Sequence, residues 1–194
     1  MNGASEAVIF DFKRYALHDG PGIRASVHFK GCPLSCLWCH NPESQEFAPR
    51  PLFRADRCVV CLACVAACPN GAVKEASGLE TDAALCRGLG ECADACPSGA
   101  REMCGERVTV RSVMRRVLKE GIFFEQSGGG VTLTGGEPLS QPEFAIELLC
   151  ECKKHELHTA LDTSGFASPS VLMEAIPYTD LFLYDIKIMN PDKH

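Results

Sequence analysis

Apolar positions along the chain recur in two periods, and the switch between them predicts the fold. Val8 to Phe12 reads as an extended opening. A turn at His18-Asp19-Gly20-Pro21-Gly22 and an apolar strand from Ile23 to Phe29 follow it. From residue 106 onward, strand and helix patterns alternate. Val110, Val113, Met114, Val117 and Leu118 fall at helical spacing behind Thr109, a helix-capping residue type. Gly128 to Gly130 break the chain, and Val131 to Thr134 reads as a strand. A second helix carries Pro142 near its first turn, with Phe144, Ala145, Leu148, Leu149 and Cys152 on one face. Leu157 to Asp162 is a strand, and Ser168-Pro169 opens a short helix through Ile176. Leu181 to Ile186 is a nearly unbroken apolar run, the pattern of a parallel strand buried on both faces.

Repeated strand-then-helix units predict an α/β fold, a parallel sheet with helices outside and ligands at the C-terminal strand ends. Four such strands cannot close a barrel. The expectation is therefore a partial, truncated β/α barrel whose second half is missing from this sequence. Residues 49–105 break the pattern: they begin with Pro49 and Pro51, and they hold eight of the 13 cysteines. They are expected to form an inserted domain, with the barrel in residues 1–48 and 106–194.

Composition narrows the class. At 194 residues, 46% hydrophobic and 23% charged, the chain fits one large domain or a medium domain with a small one. No apolar run is long enough to span a membrane, no basic-then-apolar leader is visible, and the net charge of −6 argues against a nucleic-acid partner. Without a secretory leader, 13 cysteines point to a reducing cytoplasm and to metal rather than disulfides. The oxygen sensitivity of exposed iron–sulfur clusters adds an anaerobic setting.

The cysteine spacings supply the chemistry. Cys32, Cys36 and Cys39 lie in GCPLSCLWCHNP, directly after the first strand. Four thiolates normally hold a [4Fe–4S] cluster, so three leave one iron open to a small molecule. The competing assignment is a zinc knuckle with His40 as fourth ligand. Cys58, Cys61, Cys64 and Cys68, followed by Pro69, form the bacterial ferredoxin run CxxCxxCxxxCP. The second run keeps Cys86, Cys92 and Cys96-Pro97, but Leu89 stands in its second cysteine slot. The fourth cysteine of each run ligates the other cluster in such ferredoxins. One cluster then takes Cys58, Cys61, Cys64 and Cys96. The other takes Cys68, Cys86 and Cys92 and lacks a ligand. Cys104 as that ligand, a non-cysteine group or water, and a three-iron cluster or none all stay open. His155, His158 and His194 have no cysteine at ligand spacing and read as solvated or packing residues, and Cys150 and Cys152 read as structural thiols.

Five segments carry a resemblance: HDGPGIR (His18 to Arg24), GCPLSCLWCHNP (Gly31 to Pro42), TGGEPL (Thr134 to Leu139), LDTSGF (Leu161 to Phe166) and YDIK (Tyr184 to Lys187). In this order, over essentially the whole chain, they resemble the radical S-adenosylmethionine (SAM) glycyl-radical enzyme activating enzymes. The nearest pattern is that of relatives of pyruvate formate-lyase activating enzyme with a two-cluster ferredoxin-type insertion. The resemblance implies a SAM-binding cluster on Cys32, Cys36 and Cys39, and one or two auxiliary 4Fe–4S clusters. It implies a SAM-binding set of Trp38, Cys39, His40, Gly135, Gly136, Asp185, Ile186 and Lys187, with Glu137 supporting the glycine contact. It also implies a monovalent cation near Asp162, Thr163 and Asp185, and a partner contact at Asp19. Reductive cleavage of SAM would give methionine and a 5′-deoxyadenosyl radical, which takes hydrogen from a glycine Cα of a partner glycyl-radical enzyme. Flavodoxin or ferredoxin would donate the electron. A ferredoxin-like electron carrier, or a radical SAM enzyme acting on a small molecule, are the alternatives.

Overall fold

In the computed structural model, which describes residues 5–75 and 79–188, contacts divide the chain into two units. They are Met1–Phe47 with Arg107–His194, and Ala48–Glu106. His194 lies outside the described residues. In chain order the elements are β1 (Glu6–Ala16), β2 (Arg24–Phe29), β3 (Arg50–Phe53), α1 (Ala63–Ala67), β4 (Val73–Glu75), β5 (Leu79–Thr81), α2 (Glu91–Asp94) and β6 (Arg101–Cys104). Then come β7 (Glu106–Thr109), α3 (Val110–Val117), α4 (Gly121–Ser127), β8 (Gly130–Gly135), α5 (Pro142–Lys154), β9 (His158–Thr163), α6 (Pro169–Ala175) and β10 (Leu181–Tyr184). Among the described residues no helix is long and apolar enough to cross a membrane.

The first unit is an α/β layer on one sheet, ordered β10-β9-β8-β2-β1-β7. β2, β8, β9 and β10 are parallel. The helix pattern behind Thr109 forms α3: the Ser112 amide donates to Thr109 Oγ1 (3.2 Å) and the Thr109 amide to Ser112 Oγ (3.1 Å), a reciprocal cap. The extended opening is longer than its apolar core and pairs antiparallel with β2. A short turn can join antiparallel neighbours, whereas a parallel pair needs a crossover. The last strand also differs from expectation. Its ladder ends at Tyr184, it lies at the sheet edge, and Leu181 to Leu183 are only half-buried.

Alternation gives the sheet two unlike faces. Ala25, Val27, Phe29, Val131, Leu133 and Leu161 pack with α3 and α5 into the apolar core. Arg24, Ser26 and His28 point to the other face and are also buried. Arg24 is wholly buried yet satisfied: it donates to Thr132 Oγ1 (2.6 Å) and to the carbonyls of Val131 (2.7 Å), Pro21 (3.1 Å) and His158 (3.3 Å). Burial lowers its pKa, with Asp19 and Asp180 opposing. Register levels the strand ends, pairing Phe29 with Gly135, Leu133 with Leu161, and Thr163 with Tyr184. Whatever follows these residues emerges on one rim.

The second unit pairs β3 with β6 and β4 with β5, both antiparallel. Its core is Cys64, Val73, Leu79 and Cys92, with Cys58 and Cys68 packed against it. So small a core, half of it cysteine, is where bound metal ordinarily supplies the missing stability.

Arg24→Met removes donors from the buried Val131 carbonyl and Thr132 hydroxyl and from two part-buried carbonyls, at Pro21 and His158. It is expected to lower the unfolding free energy by about 2–3 kcal/mol, read from the midpoint in a denaturant titration.

Candidate functional site

The loop holding Cys32, Cys36 and Cys39 has no regular structure of its own, but its stems are pinned. The Gly31 amide donates to the Ser44 carbonyl (2.6 Å) and the Cys32 amide to that of Gln45 (3.1 Å). The buried Lys30 ammonium donates to the Glu43 carbonyl. The next strand end closes onto the same stem. Gly136 donates to the Phe29 carbonyl (2.8 Å) and Glu137 to that of Gly31 (2.9 Å). A Cβ on Gly136 would lie 2.3 Å from the Gly31 carbonyl oxygen, so this approach requires glycine.

Glu137 ties the third strand end in. Its Oε1 accepts from the Thr163 hydroxyl (2.7 Å) and the Leu139 amide (3.1 Å). Its Oε2 accepts from the Ser164 hydroxyl (2.6 Å) and amide (2.9 Å). At 1% exposure the carboxylate is spent on protein donors, and it does not line the cavity beside it. It stands next to Gly136, whose amide and its own are held on the stem of the cysteine loop. Ile186, expected among the SAM contacts, also does not line the cavity and is exposed.

That cavity has a volume of about 280 Å3. Cys32, Cys36 and Cys39 line it together with Trp38 and His40 from the same loop. The other strand ends bring Gly135 and Gly136, Asp162 and Thr163, and Asp185 and Lys187. Burial pushes the Cys32 thiol up, as do Glu137, Cys36 and Cys39, against one backbone N–H at Leu34. Burial also raises Asp162; the hydroxyl of Thr134 (2.6 Å) opposes the rise, while Asp185 and Asp19 add to it. Lys187 pairs with Asp185, and its pKa rises despite partial burial, Cys36 being among the causes. Asp19 is outside the cavity lining, and its carboxylate accepts from the Ser26 hydroxyl.

In the second unit the cysteines gather in two sets. One cleft is lined by Cys58, Cys61, Cys64 and Cys96, the other by Cys68, Cys86 and Cys92. Among the described residues no three His, Cys, Asp or Glu side chains converge on a single-ion position, as the zinc knuckle would need. The cysteines stand around clefts instead, as ligands of a larger cluster do. Cys104 is buried in β6 but lines neither cleft, so the fourth-ligand role left open for it has no support in this geometry. Backbone amides of residues 70 to 73 outweigh burial and lower the Cys68 pKa, and the Arg101 amide leads a similar set at Cys96.

A family model for the 4Fe-4S single cluster domain matches residues 18–188. The chain belongs to that family. It is similar to the choline trimethylamine-lyase activating enzyme of Oleidesulfovibrio alaskensis, at 45% identity over 97% of this chain and 62% of that protein. The isethionate sulfite-lyase activating enzyme of Nitratidesulfovibrio vulgaris is 41% identical over 96% of this chain and 63% of its own length. The trans-4-hydroxy-L-proline dehydratase activating enzyme of Clostridioides difficile is 42% identical, again over 96% and 63%. The resemblance to glycyl-radical enzyme activating enzymes is thereby shown, and the chain spans a little over three fifths of these relatives, 62–63%.

Within this 4Fe-4S family member, sequence reading missed Arg101. The residue is 2% exposed, lines the Cys58 cleft, stacks on Phe53 (4.9 Å) and donates through Nη1 to Thr81 Oγ1 (2.7 Å). Its Nε and Nη2 have no hydrogen-bond partner. Two orphaned cationic donors beside cysteines suit an anionic iron–sulfur cluster. The only sequence signal was a lone arginine five residues after Cys96.

Glu137→Gln turns one acceptor oxygen into an NH2 group whose donors face those of either Ser164 or Thr163 and Leu139. It is expected to cost about 2–4 kcal/mol in chemical unfolding, against about 1 kcal/mol for Thr163→Val.

Proposed function

We propose that this chain is the cluster-bearing portion of a glycyl-radical enzyme activating enzyme. It would cleave SAM reductively and install a glycyl radical on a protein partner. One observation carries the reading: the three loop cysteines and the motifs ending three further strands line a single cavity. When bound, a [4Fe–4S] cluster with one iron lacking a protein thiolate supplies the electron that breaks the S–C5′ bond of SAM. Cys32, Cys36 and Cys39 would hold it. Trp38, with the backbone at Cys39 and His40, would flank the adenine. The Gly135–Gly136 backbone would meet the methionine amino group. Asp185 and Lys187 would take the ribose and carboxylate, with Ile186 contributing backbone alone. Glu137 would act at one remove, by fixing Gly136 and Ser164. No side-chain acid or base is required, because the reaction moves an electron and a hydrogen atom.

A monovalent cation beside Asp162, Thr163 and Asp185 would relieve the clustered carboxylates that raise Asp162. Asp19 would meet the partner's glycine loop. Residues 48–106 would form a ferredoxin-type insertion that relays electrons from flavodoxin or ferredoxin, or helps dock the partner. The oxygen sensitivity of such clusters favours the cytoplasm of an anaerobe. The relatives' differing names mark the partner as the variable part of the system, to be sought in a neighbouring gene for a glycyl-radical enzyme. An electron carrier alone would leave unused the strand-end residues that line the cavity with the three cysteines.

Anaerobically reconstituted protein supplied with SAM and a reductant is expected to release 5′-deoxyadenosine, and Cys36→Ala to fall to the no-enzyme background. Undiminished release by that variant would sink the assignment. Potassium or sodium salts at matched ionic strength should raise the melting temperature of the natural sequence and not of Asp162→Asn. Arg101→Met should surrender auxiliary iron to a chelator faster while still cleaving SAM.

A further inference from the structure

The two cysteine runs of the second unit share a backbone as well as a spacing. Val60 (φ +53°) and Leu62 (φ +59°) flank Cys61 in the left-handed region, just before α1. Gly88 (φ +66°) and Gly90 (φ +101°) flank the position 28 residues on, just before α2. The loop is therefore built twice, and Leu89 occupies in the second copy the place of Cys61 in the first. Leu89 lines the cleft of Cys68, Cys86 and Cys92, as Cys61 lines that of Cys58, Cys64 and Cys96. It is 60% exposed, so this corner faces solvent. Cys104 cannot substitute without moving its strand. It pairs with Arg50 across β3, in the opposite pleat phase to Arg101, which lines the Cys58 cleft, and to Met103, which packs near Gly90. The one carboxylate in the lining is Glu91, in the slot that Ala63 fills in the first copy.

We propose that Cys68, Cys86 and Cys92 hold a three-iron [3Fe–4S] cluster, with no iron at the corner facing Leu89. The proposal rests on the iron–sulfur reading of this unit but not on the SAM chemistry. A leucine offers no lone pair. An iron at that corner would be held by three sulfides and water alone, and it exchanges into solvent. The Cys32 site also has three thiolates, but there Gly136, Asp185 and Lys187 surround a cavity in which a chelating ligand would cap the fourth iron. Leu89 lines a cleft of about 20 Å3, against about 280 Å3 at the Cys32 site, so the same thiolate count leads to different clusters.

The test uses the whole chain with Cys32, Cys36 and Cys39 changed to Ala, which leaves only the auxiliary sites. Native mass spectrometry counts iron and sulfide, and electron paramagnetic resonance is recorded on the oxidised protein. The expected result is one iron fewer than two cubes and a three-iron signal. Leu89→Cys should add one iron and abolish that signal, while Leu89→Ala should change neither. Two complete cubes with Leu89 in place would overturn the proposal, whether or not Glu91→Gln then removed an iron. So would a second site empty of iron. Absence of iron from the entire unit would instead sink the iron–sulfur reading itself.

Discussion

A carboxylate can be buried only if donors meet its lone pairs, and at Glu137 those donors come from two different strand ends. The requirement draws the end of β9 to within one side chain of the end of β8. The Gly136 and Glu137 amides hold the same turn against Phe29 and Gly31, at the root of the cysteine loop. Three of the four strand ends around the cavity are thus locked by protein–protein bonds before any ligand arrives. Positioning of this kind is fixed at folding, so binding need not supply its entropy.

The remaining parts of the cavity are held less firmly, in a graded way. Just past the edge strand, Lys187 and Asp185 meet in a partly exposed ion pair, a contact that contributes little by itself. The cysteine loop is pinned at Gly31 and Cys32, but Leu37 at its tip is 98% exposed. The raised Cys32 pKa reflects its partial burial beside Glu137 and two further thiols, an arrangement that disfavours its charged form until a metal centre supplies positive charge. A rigid floor and a rim left to be completed suit the proposed site, which would admit a nucleoside and then exclude water.

The second unit applies the opposite economy. Its cysteines are core residues as well as candidate ligands, and Arg101 is buried among them with two donors unmet. A buried cation with unmet donors costs free energy in the metal-free protein, a cost that an anionic group beside it would offset. The same residues that make this unit weak alone therefore make its stability conditional on what the cysteines bind.

How much of this was legible follows from whether a signal is local. The helices were: apolar residues at helical spacing, Thr109 ahead of one and Pro142 at the start of another are contained within single segments. The cysteine sets were legible as well, because ligand spacing is a property of a short run. The end of β10 was not, since Ile186 resumes the apolar run after Asp185, and only the ladder to Thr163 marks where the strand stops. Arg24, Ser26 and His28 did carry a period of two, but it was masked by the bulk of Ala25, Val27 and Phe29. The partners of Glu137 were hidden for a related reason. An acid beside two glycines at a strand end looks like a ligand contact, and the donors that claim it lie 26 and 27 residues away. Acidic residues at such rims divide into those that face the ligand and those that hold the residues that do. The dividing variable is burial against donors on a neighbouring strand, which a single segment does not contain.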